Sequence, residues 1–377
     1  MRPTRVLMVT PRFPPEIGGV EHHVREVSKR LAASGCAVRV LTTDREGSLL
    51  ALEQIDGVTV RRVRAYPRRR DFYFAPAVYR EVKAARGEYD VVHVQSYHTF
   101  VAPLAMAAAY RSGIPYVLTF HGGGHSSRSR TLLRRAQWWV LAPLVRRASK
   151  LIAVAQFEVE HYGEVFKVGR ERFTVVSNGV DLATPASVEP TEGALLVSIG
   201  RLERYKGHQR VLAALPAVLA ERPDVRLWIA GAGEFEHELR RQADALGVSD
   251  RIDIYAVPAS ERERMAGELA RAALVLLLSE YETQPLAILE AAALGRPALV
   301  ADTSGLSELA ERGLAVSIPL EADPDVVAAA ILEQLASPHI PPPVALPSWD
   351  DCAHGLLTVY DDVRLEEDPR GAIAAQA

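Results

Sequence analysis

The sequence predicts an α/β protein built from two doubly wound, Rossmann-like domains. Short apolar runs alternate with amphipathic segments along almost the whole chain, which is typical of parallel sheets covered by helices on both faces. At 377 residues the chain is also longer than one hydrophobic core normally supports. Residues 182–193 contain few large apolar side chains and are predicted as a linker. The predicted domains are therefore 1–182 and 194–345, followed by a last helix at 349–363.

In the first domain, apolar runs are predicted as strands, and segments with apolar residues at helical spacing are predicted as helices. The predicted strands are 5–9, 38–41, 58–63, 91–94, 116–120, 151–155 and 173–176. The predicted helices are 20–31, 75–85, 100–110, 130–147 and 158–165.

The second domain shows the same alternation. The predicted strands are 195–199, 225–229, 252–256, 274–278, 298–300 and 314–318. The predicted helices are 208–219, 234–246, 261–270, 286–294 and 326–335. The last helix is predicted to begin after Ser348, because serine is a favoured N-cap residue.

The composition is that of an ordinary soluble protein, with 48% hydrophobic and 24% charged residues. No apolar run approaches the roughly 20 residues that span a bilayer, and no signal-peptide pattern precedes the first strand. Only two cysteines are present, far apart in sequence, which excludes a disulfide framework and fits a reducing cytosol. We therefore expect a cytoplasmic protein.

The charge is distributed unevenly along the chain. Residues 1–185 carry a net charge of +12 and residues 186–377 a net charge of −15, which indicates that the first half contacts something anionic. In the stretch 128–150, Trp138 and Trp139 lie between clusters of Arg and Lys, a pattern that suits the headgroup region of an anionic membrane. The alternative is a helix with its aromatic side in the core and its arginines in solvent.

Two acids flank the start of the helix predicted after the buried strand 274–278. Glu282 lies in the turn before that helix and Glu290 lies within it. Taken alone, Glu282 and Glu290 can be described as a capping acid and a surface helix acid that bind no ligand. Their place at the carboxyl end of a parallel strand, where α/β proteins bind ligands, makes them candidates for binding.

Further candidates follow other predicted strands. Gly18 and Gly19 lie at the start of the first helix, where the backbone can approach an anion. Arg201 and Lys206 are five residues apart in one loop and can direct two cations at a diphosphate. His121 opens the segment HGGGH, whose glycines disfavour the helix that a zinc-binding histidine pair would need. No metal is therefore expected.

Taken together, these motifs resemble retaining glycosyltransferase family 4. They are GGVEHHV, HGGG, SNGVD, GRLERYKG and the pair Glu282 and Glu290 followed by ALGRP, and they cover nearly the whole chain. The resemblance implies a GT-B fold, in which two Rossmann-like domains face each other across a cleft and the last helix crosses back to the first domain. It also implies that the first domain binds the acceptor and the second binds a nucleotide-sugar donor.

The resemblance assigns roles to matching positions. Glu290 would hold the ribose of the nucleotide, Glu282 the hydroxyls of the sugar, and the two cations the diphosphate. Catalytic roles are implied for His121, Glu282, Arg201 and Lys206, and binding of the sugar donor for Gly18, Gly19, Arg201, Lys206, Glu282, Gln284, Leu286 and Glu290. No cofactor is expected, because fixed cations can stabilise the departing diphosphate. The resemblance also implies no protein nucleophile, because retaining GT-B enzymes lack a clear one.

One stretch departs from the family pattern. The family has Glu-Gly-Phe-Gly where this chain has Glu282-Thr283-Gln284-Pro285. Pro285 has no N–H to donate and Thr283 does not favour positive φ, so backbone contacts to the sugar must differ here. We hypothesise that the Gln284 side chain replaces part of these contacts and influences the choice of sugar.

The sequence thus predicts a retaining hexosyltransferase that uses a nucleoside-diphosphate sugar. The acceptor is predicted as a lipid-linked or polyanionic glycan, with the enzyme peripheral on the inner face of the cell membrane. Three alternatives stay open: a soluble small-molecule acceptor, a nucleotide-sugar epimerase, and a non-catalytic protein that binds sugar nucleotides. Nucleic acid is not expected as a partner, because the basic run 61–70 has few aromatic residues for stacking.

Overall fold

The structure is a computed structural model that describes residues 2–16, 18–68, 73–122, 128–180, 183, 193–258 and 260–367, with the side chains of 128–136 and 367 left out. The chain divides into two compact units. Unit 1 contains Met1–Gly122, Thr131–Gly179 and Pro347–Ala377, and unit 2 contains Gly123–Arg130 and Val180–Leu346. The segment 184–192, most of the predicted linker, lies outside the described residues.

Unit 1 is organised around one eight-stranded sheet. Its strands are β1 (Arg5–Val9), β2 (Ala37–Asp44), β3 (Leu52–Ile55), β4 (Val58–Arg64), β5 (Val91–Gln95), β6 (Tyr116–Thr119), β7 (Lys150–Ala153) and β8 (Phe173–Val175). Their order is β3-β4-β2-β1-β5-β6-β7-β8, and every pair except β3 with β4 is parallel. The helices are α1 (Gly19–Ala33), α2 (Pro76–Ala84), α3 (Val101–Ser112), α4 (Arg128–Val145) and α5 (Gln156–Phe166).

The central strands of this sheet are apolar on both faces because helices cover both sides. Along β1, Val6 and Met8 belong to one core cluster, whereas Leu7 and Val9 belong to the cluster on the opposite face. All four side chains are buried. This is why β1 reads as a continuous apolar run instead of an alternating one.

Unit 2 contains a six-stranded, fully parallel sheet. Its strands are β9 (Leu195–Ile199), β10 (Arg226–Ala230), β11 (Ile252–Tyr255), β12 (Leu274–Leu277), β13 (Ala298–Asp302) and β14 (Val316–Pro319). Its helices are α6 (His208–Glu221), α7 (Glu236–Leu246), α8 (Arg262–Arg271), α9 (Leu286–Ala293), α10 (Ser304–Glu311) and α11 (Pro324–Ala336). The order β11-β10-β9-β12-β13-β14 reverses between β9 and β12, the point at which doubly wound sheets bind ligands.

The last helix, α12 (Trp349–Glu367), packs in unit 1. Trp349, Tyr360 and Val363 are buried in the same core cluster as Val6 and Met8 of β1. A capping box starts the helix, since Ser348 Oγ accepts the backbone N–H of Asp351 at 3.0 Å and the Asp351 carboxylate accepts the N–H of Ser348 at 2.9 Å. The prediction of two Rossmann-like α/β domains, with the last helix packed in the first of them, is confirmed.

Two local features differ from the sequence-based prediction. The edge strand β3 was not predicted, because its four residues form no apolar run and their exposure alternates. Helix α10 was also not predicted, since only eight residues form it and they begin with Ser304 and Gly305.

Candidate active site

The loop after β9 approaches the end of β12 through a glycine. Lys206 ends a single turn of 3₁₀ helix, and Gly207 follows with φ of 79° before α6 begins. A Cβ atom on Gly207 would lie 1.9 Å from the carbonyl oxygen of Leu278, so only glycine fits this close approach. The backbone thereby brings Lys206 to the end of the neighbouring strand.

Lys206 and Glu282 form an ion pair at this switch point of the sheet. Nζ of Lys206 lies 2.6 Å from Oε1 of Glu282, and the two side chains are only 14% and 13% exposed. The hydroxyl of Ser279 donates to the same carboxylate oxygen at 2.8 Å. The two residues predicted to bind diphosphate and sugar hydroxyls therefore lie in direct contact.

The backbone of Glu282 is held from the other side by the start of α10. Its N–H donates to Ser304 Oγ at 2.9 Å, and its carbonyl accepts the N–H of Gly305 at 2.9 Å. A Cβ on Gly305 would lie 2.1 Å from the carbonyl oxygen of Thr283, which explains the glycine. The carboxylate is thus fixed through both its side chain and its backbone, as a preorganised binding group requires.

Arg201 is linked to Lys206 through Tyr205. The guanidinium of Arg201 donates to the Tyr205 hydroxyl at 2.8 Å and pairs with Glu203, while its side chain is 67% exposed. The Lys206 ammonium lies 5.3 Å from the centre of the buried Tyr205 ring. Both predicted cations therefore lie next to one tyrosine, and Arg201 is the one open to solvent.

His208 is a site residue that the sequence analysis missed. Its Nδ1 is 2.8 Å from Ser198 Oγ on β9, and its Nε2 is 3.3 Å from the backbone oxygen of Arg201. Burial lowers the pKa of His208 to about 4, so the ring is neutral near pH 7. The available signal was Ser198, the one polar residue in the apolar run of β9.

Glu290 lies on α9 and contacts α8. Its carboxylate accepts a hydrogen bond from Arg262 at 3.3 Å, and its side chain is 15% exposed. Gln284 and Leu286 are half-buried at the start of the same helix. The first N–H groups of a helix have no acceptor within the helix, so α9 directs a positive dipole end toward this loop.

In unit 1, Gly18 caps α1 in an extended conformation with φ of 176°. A Cβ there would meet the carboxylate of Glu21, which is buried in the first turn of the helix. Gly19, the first residue of α1, has nothing within 4 Å of the position where a Cβ would lie. A side chain at Gly18 would therefore displace the flexible end of the Glu21 side chain, whereas Gly19 leaves space next to the backbone.

His121 follows β6 with φ of 46°, an uncommon conformation for a residue with a side chain. Its Nε2 is 2.6 Å from Oε1 of Gln95, and its backbone oxygen accepts a hydrogen bond from His98 Nε2 at 3.1 Å. Burial is the main reason that the pKa of His121 lies well below its ordinary value, and the nearby His23, His93 and His98 lower it further. The ring is therefore neutral near pH 7.

Glu158 is a second residue that sequence reasoning missed. Its two carboxylate oxygens accept the backbone N–H groups of Gly122 and Val154, each at 2.8 Å, and the residue is fully buried in the first turn of α5. Burial raises the pKa of Glu158 to about 7. The signal available in the sequence was an acid in a predicted first helical turn, which alone does not indicate a buried carboxylate.

Some predictions fall outside the described residues. Residues 123–127, most of the HGGGH segment, are among them. In the ranges that the structure does describe, no group of three or more His, Cys, Asp or Glu side chains is arranged to hold a metal ion. A search of the same ranges found no helix long and apolar enough to span a membrane.

Comparisons with known proteins agree with this arrangement. A family model described as "Glycosyltransferase Family 4" matches residues 17–184, and one described as "Glycosyl transferases group 1" matches residues 181–342. A glycogen synthase of Mycobacterium tuberculosis is 31% identical over 348 residues, covering 82% of this chain and 80% of that enzyme. The chain belongs to the GT-B glycosyltransferases.

Two further matches extend along most of this glycosyltransferase. A GDP-mannose:cellobiosyl-diphosphopolyprenol alpha-mannosyltransferase of Xanthomonas oryzae is 29% identical over 343 residues, covering 87% of each chain. The crystal structure of HepE from Anabaena with UDP-glucose has a TM-score of 0.68 at 19% identity, covering 99% of each chain. At that identity the structural match supports the fold alone.

Proposed function

We propose that this glycosyltransferase transfers a hexosyl group, with retention of anomeric configuration, from a nucleoside-diphosphate sugar to an acceptor hydroxyl. The observation that carries the proposal is the ion pair of Lys206 and Glu282 at the switch point of the unit 2 sheet. A cation and a carboxylate in contact there provide one group for a phosphate and one for sugar hydroxyls.

The remaining groups of unit 2 extend the proposed binding site for the sugar donor. Lys206 and the exposed Arg201 neutralise the diphosphate, Glu282 accepts hydrogen bonds from the sugar, and Glu290 accepts hydrogen bonds from the ribose hydroxyls. The amides at Gly18 and Gly19 are proposed to contact the diphosphate. The names of the Xanthomonas enzyme and of the Anabaena complex, which include GDP-mannose and UDP-glucose, support this class of sugar donor.

The proposed chemistry depends on stabilising the leaving group. Departure of a nucleoside diphosphate develops negative charge, and fixed cations stabilise that charge without reorganising during the reaction. No metal or other cofactor is proposed. The acceptor hydroxyl attacks from the face that the diphosphate leaves, and no protein nucleophile is assigned. His121, neutral near pH 7, is proposed to face the donor sugar.

For the acceptor, we propose a lipid-linked or polyanionic glycan. On α4, Trp139 is 80% exposed and Val140 is 61% exposed, and the exposed Arg146 and Arg147 follow at the end of the same helix. Exposed aromatic and aliphatic side chains near cations suit the boundary of an anionic membrane. Leu141 and Trp138 pack against the core, as the alternative of a core-packed helix with solvated arginines expects for these side chains. The name of the Xanthomonas relative includes a diphosphopolyprenol, which also supports a lipid-linked acceptor.

The alternative is a soluble acceptor, which the name of the glycogen synthase relative favours. Flotation with anionic vesicles separates the two. We expect vesicle binding at low salt that decreases as salt is added, because salt screens the cations. Trp139→Ala should weaken binding, whereas the matched control Leu50→Ala, at a residue 68% exposed, should not. Absence of vesicle binding at low salt would favour the soluble acceptor.

The sugar donor is tested with a panel of nucleotide sugars in a thermal-shift assay, because a bound ligand raises the melting temperature by mass action. We expect one nucleotide sugar to stabilise the protein, and Lys206→Met to reduce that effect. Transfer to an acceptor is then measured, and NMR of the product shows whether the anomeric configuration is retained. A changed sugar epimer in place of transfer would indicate an epimerase. Binding without transfer or hydrolysis would indicate a non-catalytic protein.

A further inference from the structure

A chain of buried polar side chains connects α12 to the loop that follows β6 in unit 1. The Tyr360 hydroxyl is 2.6 Å from His93 Nδ1, and His93 Nε2 is 3.1 Å from the amide nitrogen of Gln95. The amide oxygen of Gln95 is 2.6 Å from Nε2 of His121. Tyr360, His93 and Gln95 are each fully buried, so these contacts occur away from solvent.

The Gln95 amide determines which group donates and which accepts in the hydrogen bonds that it makes. Its carbonyl oxygen can only accept, so the proton on the neutral His121 ring lies on Nε2. Its NH₂ group can only donate and lies 3.1 Å from Nε2 of His93, which the Thr119 hydroxyl also approaches at 2.7 Å. The NH₂ group also lies 2.9 Å from the sulfur of Met8, a weak acceptor, which fits this orientation of the amide.

The hydrogen bond to Gln95 also determines whether the second ring nitrogen of His121, Nδ1, carries a proton. With the proton on Nε2, Nδ1 carries a lone pair and can only accept a hydrogen bond. Within the part of the chain that the structure describes, no group donates a hydrogen bond to Nδ1. His121 is 8% exposed at the carboxyl end of β6, an edge of the sheet at which α/β proteins bind substrates.

We propose that Gln95 is a positioning residue that holds His121 as the neutral Nε2–H tautomer, so that Nδ1 accepts a hydrogen bond from a hydroxyl of the sugar substrate. The proposal rests on the proposed glycosyl transfer and adds which atom of His121 acts and what holds it. A second ring hydrogen bond defines the tautomer of a histidine in the same way at other functional sites. Met8 supports this orientation of the Gln95 amide, because its sulfur can accept from the NH₂ group and cannot donate.

The test is NMR of the full chain labelled with ¹⁵N-histidine, with the His121 signals assigned by comparison with His121→Asn. We expect the wild-type protein to show the Nε2–H tautomer throughout the neutral pH range. In Gln95→Glu a carboxylate faces Nε2, which should raise the pKa of His121 by about one to three units. In Gln95→Leu the acceptor is lost, and we expect a mixture of the two tautomers.

A wild-type signal from the Nδ1–H tautomer or from an imidazolium would overturn the proposal. So would an unchanged tautomer in Gln95→Leu together with an unchanged pKa of His121 in Gln95→Glu. The matched control is Gln334→Leu, which removes a buried glutamine of α11 and should leave the His121 signals unchanged. Because the readout needs no sugar donor, its failure is distinguishable from failure of the proposed function. Gln95→Glu remains informative if Gln95→Leu does not fold.

Once the sugar donor is known, kinetics adds a second readout. Gln95→Glu should shift the acidic limb of the pH profile of kcat/KM upward with the pKa of His121, because protonation converts Nδ1 from an acceptor into a donor. A purely structural role of Gln95 would lower activity equally at every pH. That outcome would count against the proposal.

Discussion

Nζ of Lys206 lies 2.6 Å from Oε1 of Glu282, so a residue that follows β9 forms an ion pair with a residue that follows β12. The two strands are neighbours in the sheet, although Lys206 and Glu282 are 76 positions apart in sequence. Both side chains are mostly buried, so each charge depends on the other until a substrate arrives. A bound diphosphate and sugar would provide alternative partners for both charges.

The first prediction concerns Lys206. Lys206→Met should lower kcat/KM for transfer by about 100- to 1,000-fold, because one preorganised cation facing the leaving group is lost. It should also destabilise the protein, since the Glu282 carboxylate would remain mostly buried without the Lys206 ammonium. Steady-state kinetics and urea unfolding measure the two effects.

The matched control is Lys83→Met, at an exposed lysine of α2. A double-mutant cycle with Glu282→Gln then measures the coupling between the two charges. Additive effects of the two variants on transfer would contradict a shared site.

The second prediction tests the proposed contact of Glu290 with ribose. The wild-type enzyme should prefer its nucleoside diphosphate over the 2′-deoxy analogue, because a buried carboxylate without its hydroxyl partner is costly. In Glu290→Ala the two affinities should converge. Isothermal titration calorimetry measures both, and Glu333→Ala at an exposed acid of α11 is the control. Undiminished discrimination in Glu290→Ala would exclude this role.

The third prediction concerns Gln284, in the stretch that departs from the family pattern. Gln284→Ala should change the affinity for the sugar donor or the ranking of competing nucleotide sugars, since the side chain is proposed to replace backbone contacts. Gln242→Ala, at a half-buried glutamine of α7, is the matched control. If both variants rank the nucleotide sugars as the wild type does, Gln284 does not influence the choice of sugar.

The fourth prediction separates two reasons for a glycine. Gly207 and Gly247 have φ of 79° and 69°, but only Gly207 faces a carbonyl oxygen where its Cβ would lie. Gly247→Ala should cost about 1–2 kcal/mol of unfolding free energy for the backbone conformation alone. Gly207→Ala should cost more and also lower activity, because the loop must move away from Leu278. Equal shifts of the urea midpoint would show that the close approach is tolerated.

The fifth prediction follows from the raised pKa of Glu158. Since this pKa rises from 4.5 to about 7 on folding, the folded protein binds the proton more tightly than the unfolded chain. The stability from this group is therefore fully present below pH 4.5 and is lost as the pH rises through about 7. Glu158→Gln cannot titrate, so its unfolding free energy relative to the wild type should increase across this window by an amount on the order of 3 kcal/mol.

Urea unfolding of both proteins at several pH values measures this difference. The variant also loses one hydrogen bond from a backbone N–H, which changes its unfolding free energy by the same amount at every pH. The control is Glu160→Gln, at an exposed acid of the same helix, which should show no comparable change with pH. A constant difference between Glu158→Gln and the wild type would mean that Glu158 does not titrate in this range.

The sequence predicted most elements of both sheets because buried parallel strands such as β1 and β12 read as uninterrupted apolar runs. The same rule concealed His208 and Gln95. Gln95 itself lies within β5, and Ser198, the partner of His208, lies within β9. A single polar residue in an apolar run looks like a local break in the strand pattern. Only tertiary structure shows that Ser198 faces His208 and that Gln95 faces His121.

In the candidate site, too, the sequence shows which residues are candidates, and only the tertiary structure shows which of them are in contact. Lys206 and Glu282 could be predicted as site residues because both follow strands and match family motifs, but their direct contact could not. It depends on the approach of Gly207 to Leu278, which is a property of two chain segments that are distant in sequence. Glu158 was missed because an acid in a first helical turn usually faces solvent, and no local signal indicates burial.

The position of α12 affects how the chain can fold during synthesis. Unit 1 contains segments on both sides of unit 2 in the sequence, so unit 2 is synthesised before α12. Trp349, Tyr360 and Val363 fill one face of the unit 1 core, so this face stays open until α12 leaves the ribosome. Unit 2 can complete its own core first. The half that is translated first is therefore the last to be finished.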